Sequence, residues 1–399
     1  MKRVTKQFII SIFLINSTNI QSNFIPEYLY PVASIVYEDQ IKICILYQRG
    51  TNLELFLWDP TTKKAIKGLS HYTPAGLTIL PSKKAFSFID YQRIRIKEIA
   101  KKSPKALDLY PLYDFTLIHW IDDAQCYCSA RERFHYNLFH ITTKGDFFRL
   151  TANDQSDYTY PQKIESEFFY IKRDNQGKTS IEHTVYPDQA IKERMYEEME
   201  NIKNNELSSY YSLHVSKSLL TPGKTIYFCD EPDKNLSFLT MKNNHEGFFL
   251  KHIDHPFIER FAKTMNFECW YFWENKEKDW KYERLFTFEL PLSLLYGEKR
   301  LYESGLRLCP TYDDSNNFIY YVNVDGHGFL DLYCYSISER FSKKILNQSI
   351  EGQEHYFFSP CFYKNKIYFG GMLLPEINHF KMELTTFGEY EIDFPYVQN

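Results

Sequence analysis

Short apolar runs closed by polar turns recur along the chain in groups of about four, and most groups open on a proline. One group has Tyr110-Pro111 ahead of Phe115 to Trp120, Ala124 to Ala130, Tyr136 to Thr142 and Asp146 to Thr151. A second opens at Pro310, with runs at Asn317 to Val324, Phe329 to Ser338 and Phe341 to Leu346. A third opens at Pro360, with Lys366 to Gly371, His379 to Thr386 and Glu389 to Phe394. Runs of this length bounded by turn residues read as strands. Proline suits the opening position, because the first residue of a strand is one of the few sheet positions where a missing N–H is tolerated.

Leading prolines fall at Pro31, Pro74, Pro111, Pro161, Pro256, Pro310 and Pro360, and one further unit near Ser212 lacks its proline. Seven intervals between residues 31 and 360 give 47 residues per unit. Four-strand units at this period predict an all-β fold, a β-propeller of seven or eight four-stranded blades. Two stacked β-sandwiches are the competing architecture, but they would not need one plan along the whole chain. A single segment breaks the rhythm. In residues 188–207, Ile191, Met195, Met199 and Ile202 recur at helical spacing with a charged opposite face, which predicts an inserted helix near the fourth unit's outer strand. It either lies on the propeller wall or projects from it to meet a partner.

Composition bears on the chemistry more than on the fold. With 44% hydrophobic and 25% charged residues the 399-residue chain is globular, and a net charge of -4 gives no basic footprint for nucleic acid. The 32 Tyr and 33 Phe suit strands, but AT-rich codon usage would enrich them too, so the strand reading rests on the pattern.

Lys2, Arg3 and Lys6 precede the apolar run Phe8 to Ile15, and small polar residues follow, the pattern of a signal peptide cut between Ser17 and Ser22. Residues 1–22 are thus expected to be a signal peptide and 23–399 one propeller domain, placed in the periplasm or secreted. The first cysteine is Cys44, so a lipid anchor at the cut is not expected, and no later stretch reads as a membrane span. Eight dispersed cysteines lack the paired spacing of a zinc site. Cys126 and Cys128 bracket Tyr127 in a strand and should share a face.

No G-x-S-x-G elbow, P-loop or intact G-x-G-x-x-G occurs. The one local group of metal-ligand types is His245, Glu246, His252, Asp254 and His255, a weak set on a strand-and-loop path. Asp122, Asp123, Asp230, Asp233, Asp313 and Asp314 stand at strand ends, where a channel-mouth glycosidase would draw its acids, although turn aspartates are common for backbone reasons alone. In a propeller, the loops into each first strand and between second and third strands share one face. That face would carry Arg131, Arg133, His135, Arg173, Asp174, Asp325 and His327, a mixed rim suited to a protein or peptide partner.

Arg149-Leu150-Thr151 with Asp157-Tyr158-Thr159-Tyr160-Pro161, and Leu220-Thr221-Pro222-Gly223-Lys224-Thr225-Ile226-Tyr227-Phe228, resemble the TolB-like, or WD40-like, propeller repeat. Tyr320 to Gly326 through Asp331-Leu332-Tyr333, and Cys126 to Leu138 ahead of Ile141-Thr142, look like its second and third strands. The resemblance runs over residues 30–395, with the Asp of the family's Pro-Asp-Gly-Lys turn missing at Pro222. It implies a propeller that works outside the cytoplasm as an interaction platform and brings no catalytic residue. TolB carries an α/β domain before its propeller, and here about ten residues separate the expected cut from the first unit, so TolB's own role is not carried over. The expectation is a non-catalytic scaffold in the cell envelope, monomeric and without a cofactor. The alternative is a glycan-active or metal-dependent hydrolase or lyase using the channel mouth.

Overall fold

Residues Cys126 to Ala130, Phe168 to Ile171, Phe248 to Leu250 and Ile319 to Val322 are each buried without a break. A strand with only one face on a core alternates, so an unbroken buried run means a strand covered on both faces. The computed structural model describes residues 27–391 except 39, 50–51, 60, 63, 71–74, 91–92, 102, 152–153, 204–217, 222, 232–234, 254–263, 292–309, 314–316, 325–329, 347–360, 364–365, 370 and 374–387. Among these, each doubly covered run is the second strand of an antiparallel sheet.

Seven sheets follow one another along the described residues. The first comprises β1 (Glu27–Tyr37), β2 (Gln40–Arg49), β3 (Asn52–Asp59) and β4 (Lys64–Ser70). The second holds β5 (Ala75–Ile79), β6 (Ala85–Asp90), β7 (Arg93–Glu98) and β8 (Lys105–Ala106). In the third are β9 (Tyr113–Trp120), β10 (Gln125–Glu132), β11 (His135–Thr142) and β12 (Phe147–Arg149). The fourth has β13 (Asp157–Ile164), β14 (Glu167–Arg173), β15 (Thr179–Val185) and, beyond helix α1 (Asp188–Lys203), β16 (Lys224–Cys229). The fifth contains β17 (Leu236–Asn243), β18 (Glu246–His252), β19 (Thr264–Glu274) and β20 (Trp280–Pro291). Next come β21 (Thr311–Asp313), β22 (Phe318–Val324), β23 (Leu330–Ser336) and β24 (Phe341–Leu346). The last sheet has β25 (Cys361–Tyr363), β26 (Lys366–Phe369) and β28 (Gly388–Glu391), while β27 (Gly371–Leu373) leaves it to pair with β1. The eight units read from the prolines meet seven sheets among the described residues: the unit near Ser212 is divided, its β16 closing the fourth sheet and its β17 and β18 opening the fifth, which β19 and β20 complete.

First strands stand side by side: β1 touches β5, β5 touches β9, β9 touches β13, β13 touches β17, and β25 touches β1. Several carry a register break at the same stage, between Pro31 and Ala33, Ala75 and Thr78, Thr159 and Gln162, and Ser237 and Thr240. Two of these strands place a non-glycine residue in the left-handed region near the break, Tyr160 (φ 51°) and Phe238 (φ 54°), and β9, whose register shifts between Tyr113 and Thr116, does the same at Asp114 (φ 52°). A bulge adds a residue, bends the strand and re-aims its side chains. Pro31 and Pro161 therefore lie inside their strands, at the bulge, and not at the first residue. Proline is tolerated there for the same reason as at a strand start, since the bulge already breaks the ladder.

The core fills the gaps between sheets. Cys126 and Cys128 face one cluster with Ile94, Leu107, Phe115, Ile118, Phe139 and Ile141. Tyr127 faces another with Leu138, Phe148, Phe168 and Tyr186. The two cysteines do share a face; both are free thiols, and burial raises them well above the ordinary thiol range. Helix α1 joins the second cluster through Ile191, while Tyr196 points to solvent. Its end falls at Lys203, and the expected continuation to 207 lies outside the described residues, as does the expected signal peptide. No described helix is long and apolar enough to cross a membrane.

The neighbouring strands of its own sheet leave no room at Gly247 in β18. A Cβ there would meet the Thr240 carbonyl oxygen at 2.7 Å and the Phe272 ring at 2.8 Å. Gly247→Ala should lower stability by about 1–3 kcal/mol, the usual cost of overpacking, read as a fall in the urea midpoint.

Candidate functional site

The β10–β11 turn projects a cation and an aromatic ring from one end of the third sheet. Glu132 pairs with His135, so Arg133 and Phe134 alone form the turn. A two-residue hairpin turn demands positive φ, and Arg133 supplies it at 63°. Phe134 is consequently pushed into solvent at 85% exposure, and Tyr110, on the approach to β9 at the same end, stands at 79%. The Tyr113 hydroxyl donates to the Arg133 carbonyl and ties the turn to β9.

Behind the turn, carboxylates are held by their neighbours. Asp114, at the β9 bulge, accepts from the Tyr136 hydroxyl at 2.5 Å and lies 3.8 Å from Arg131 Nη1. The Arg131 guanidinium stacks 4.7 Å from the centre of the Tyr136 ring, a cation–π contact. Burial, and then the bond to Asp114, pushes the Tyr136 phenol well above its ordinary range. Asp157, the first residue of β13, accepts the Tyr136 N–H at 2.9 Å and lies 3.4 Å from His135 Nδ1. It also stands in register with Arg173, which carries the rim onto the fourth sheet. Below, Arg149 and Glu132 form a buried ion pair at 2.5 Å, with burial drawing the guanidinium down from its ordinary value.

Of the seven residues expected from sequence, Arg131, Arg133 and His135 stand at this end of the third sheet, and Asp157 links His135 to Arg173 on the fourth. Asp174 stands beside them but serves its own turn, accepting the N–H groups of Gln176 and Lys178 at 2.9 Å each. Asp325 and His327 belong to the β22–β23 connection and lie outside the described residues. Four residues of this end escaped the sequence reading: Asp114, Phe134, Tyr136 and Asp157. A phenylalanine between Arg133 and His135 in a tight turn was the one signal available for them.

The other sequence candidates do not converge. His245 and His252 stand at opposite ends of β18, roughly 20 Å apart at the rise of a strand. His245 bonds Glu274 at 2.8 Å, and His252 bonds the Ser237 hydroxyl at 3.1 Å. Glu246 is taken up by Lys242 at 3.2 Å and by the Tyr271 hydroxyl. Asp254 and His255 lie outside the described residues, and among those described no three His, Cys, Asp or Glu side chains group as metal ligands. Asp122 caps its own turn, Asp123 accepts the Ser82 N–H at 3.1 Å, and Asp230 pairs with Lys178 at 2.5 Å.

Away from the rim, His140 is 1% exposed, and its Nδ1 lies 2.8 Å from the Tyr186 hydroxyl. Burial pulls its pKa down to about 4, against weaker upward pulls from Asp188 and Asp122. Between pH 6.5 and 4 the unfolded chain takes a proton that the folded chain refuses, so stability falls as pH drops through that window. The slope should approach about 1.4 kcal/mol per pH unit. Urea unfolding at several pH values measures it, and His140→Phe should remove that part of the pH dependence while keeping a constant offset for the unpartnered Tyr186 hydroxyl.

No protein-family model matches the chain, and no curated protein does. Solved structures do. An oligogalacturonate lyase in complex with manganese overlays with a TM-score of 0.54 at 10% identity, covering 88% of this chain and 91% of the lyase. A puromycin-hydrolysing peptidase from Mycobacterium tuberculosis overlays with a TM-score of 0.52 at 10% identity, covering 86% of this chain. This chain spans about half of the peptidase, 48% of its length. A putative TolB from Agrobacterium tumefaciens covers 82% of this chain and 90% of its own at 10% identity, with a TM-score of 0.42 that is too low to carry an argument. At such identities the likeness is one of fold: several four-stranded antiparallel sheets with almost no helix.

Proposed function

We propose that the seven sheets are the blades of a TolB-like propeller and that the protein is an exported, non-catalytic scaffold. It would bind a protein or peptide partner in the cell envelope through the end where the third and fourth sheets meet. The observation that carries this reading is the β10–β11 turn, which holds Phe134 in solvent while the polar groups behind it bond one another. A large ring held in the open by a rigid hairpin loses little entropy on binding, and aromatic and arginine side chains dominate interface energetics. Export rests on the leader composition of residues 1–22, and the ring arrangement on the contacts of successive first strands, with β25 against β1.

The enzyme reading draws on the fold likeness to the lyase. It has no ligand set to rest on among the described residues.

Two measurements test the proposal. Affinity capture from an envelope extract of the source cell should return a reproducible partner whose affinity falls roughly thirtyfold or more on Phe134→Ala, the size of an interface hot spot. Retention of a sugar or metal with no protein would instead favour the enzyme. N-terminal sequencing of the exported chain should start between residues 18 and 23; a chain retaining Met1 would remove the export reading.

A further inference from the structure

Away from the rim, and independent of the scaffold reading, the fifth sheet ends on a strand whose charges complement themselves. β20 is the last strand of that sheet, and its outer edge pairs with no described strand. An open edge is a template for another chain, and natural edges are commonly blunted by brevity or by lysines. The other outer strands among the described residues follow that rule. β4, β16 and β24 carry lysine as their only charge, β8 and β12 are two and three residues long, and β28 has four residues with acids alone. β20 runs for 12 residues and is the one outer strand among them to carry both signs, with Lys281 and Glu283 on either side of Tyr282 and Arg284 next along. The Tyr282 ring is 51% exposed and rests edge-on against Tyr227, with centroids 4.9 Å apart.

We propose that a second copy of this chain adds to this edge, β20 against β20, antiparallel about a two-fold axis at Tyr282. Trp280 to Arg284 run in unbroken register with β19, so their side chains alternate between the two faces. Opposed residues of an antiparallel pair share a face, which sets each Lys281 against Glu283 of the second copy on one face. On the other face each Trp280 meets Arg284 of the second copy, a cation–π pair, with the two Tyr282 rings between them. Charge disfavours the neighbouring registers. An axis at Lys281 would oppose two lysines and set Asp279 against Glu283; axes at Glu283 and Arg284 would oppose two glutamates and two arginines. The groups are open to this pairing: Lys281 is exposed and makes no ion pair among the described residues. Glu283 lies 3.3 Å from the exposed Arg340, and Arg284 3.0 Å from Glu268, surface pairs of the weak kind that leave room for a further partner. Any extended chain can pair with a bare backbone edge, but a second β20 is the occupant whose side chains answer its charges, as a two-fold interface requires.

The test is sedimentation velocity of the full chain over a concentration series. The expected result is a dimer, in place of the monomer expected from sequence. Lys281→Glu alone and Glu283→Lys alone each oppose like charges, and each should weaken dimerisation about tenfold or more. Mixing these two variants should restore association, because each supplies the sign of charge that the other has lost. The double exchange, Lys281→Glu with Glu283→Lys, should dimerise by itself, and neither rescue is open to a chain that has failed to fold. A parent chain that stays monomeric throughout the series, a dimer indifferent to both single reversals, or no recovery in the mixture and the double exchange would overturn the inference. Phe134→Ala should leave the dimer unchanged. A dimer lost on Phe134→Ala and kept by the reversals would put the contact at the rim and overturn this inference while the scaffold reading stands. Affinity capture that returns no partner counts against the scaffold and leaves the dimer as measured.

Discussion

Sheets two to six each own a second strand that they cannot bury by themselves. Phe86 and Phe88 in β6, Cys126 to Ala130 in β10, Phe168 to Ile171 in β14, and Ile319 to Val322 in β22 need cover on both sides. One four-stranded sheet has two open faces, so each of these sheets depends on its neighbours for cover. This mutual cover fixes the sorting of Cys126 and Cys128 to one cluster and Tyr127 to the next. It also keeps His140 neutral, since the aromatic wall that hides it leaves no solvent for a charge.

The exposed end of the third sheet follows from the same geometry. With both faces of a sheet occupied, side chains free to meet a partner are confined to loops at the two ends and to the outer strands. The β9 bulge turns Asp114 toward Tyr136, and the β10–β11 turn lifts Phe134 clear.

Much of the fold was readable in the sequence because double burial writes a conspicuous signal: an unbroken apolar run once per unit, flanked by turn residues. The helix at Asp188 was readable too, since its period differs from everything around it. The unit count was less so. Pro256 sits at the right spacing but falls in the connection between β18 and β19, and the outer strand β16 is reached only after α1, so linear rhythm and sheet membership part company in the fourth and fifth units. At the rim, Arg131, Arg133, His135 and Arg173 were legible from strand direction alone. Asp114, Tyr136 and Asp157 were not, because they meet across a bulge and between sheets, and neither leaves a trace in local spacing. His245 and His252 show the converse, neighbours in sequence that an extended strand drives apart.

The pairing of Glu27 with Leu373 and of Leu29 with Gly371 joins residues roughly 340 positions apart. A chain made from its N-terminus presents β1 long before β27 exists. During that interval one edge of the first sheet has open backbone donors and acceptors, the kind of edge that recruits foreign strands. Completion of the first sheet is therefore tied to arrival of β27, and loss of β27 would be felt first at β1. β27 works as a clasp whose other half, β1, is made long before it.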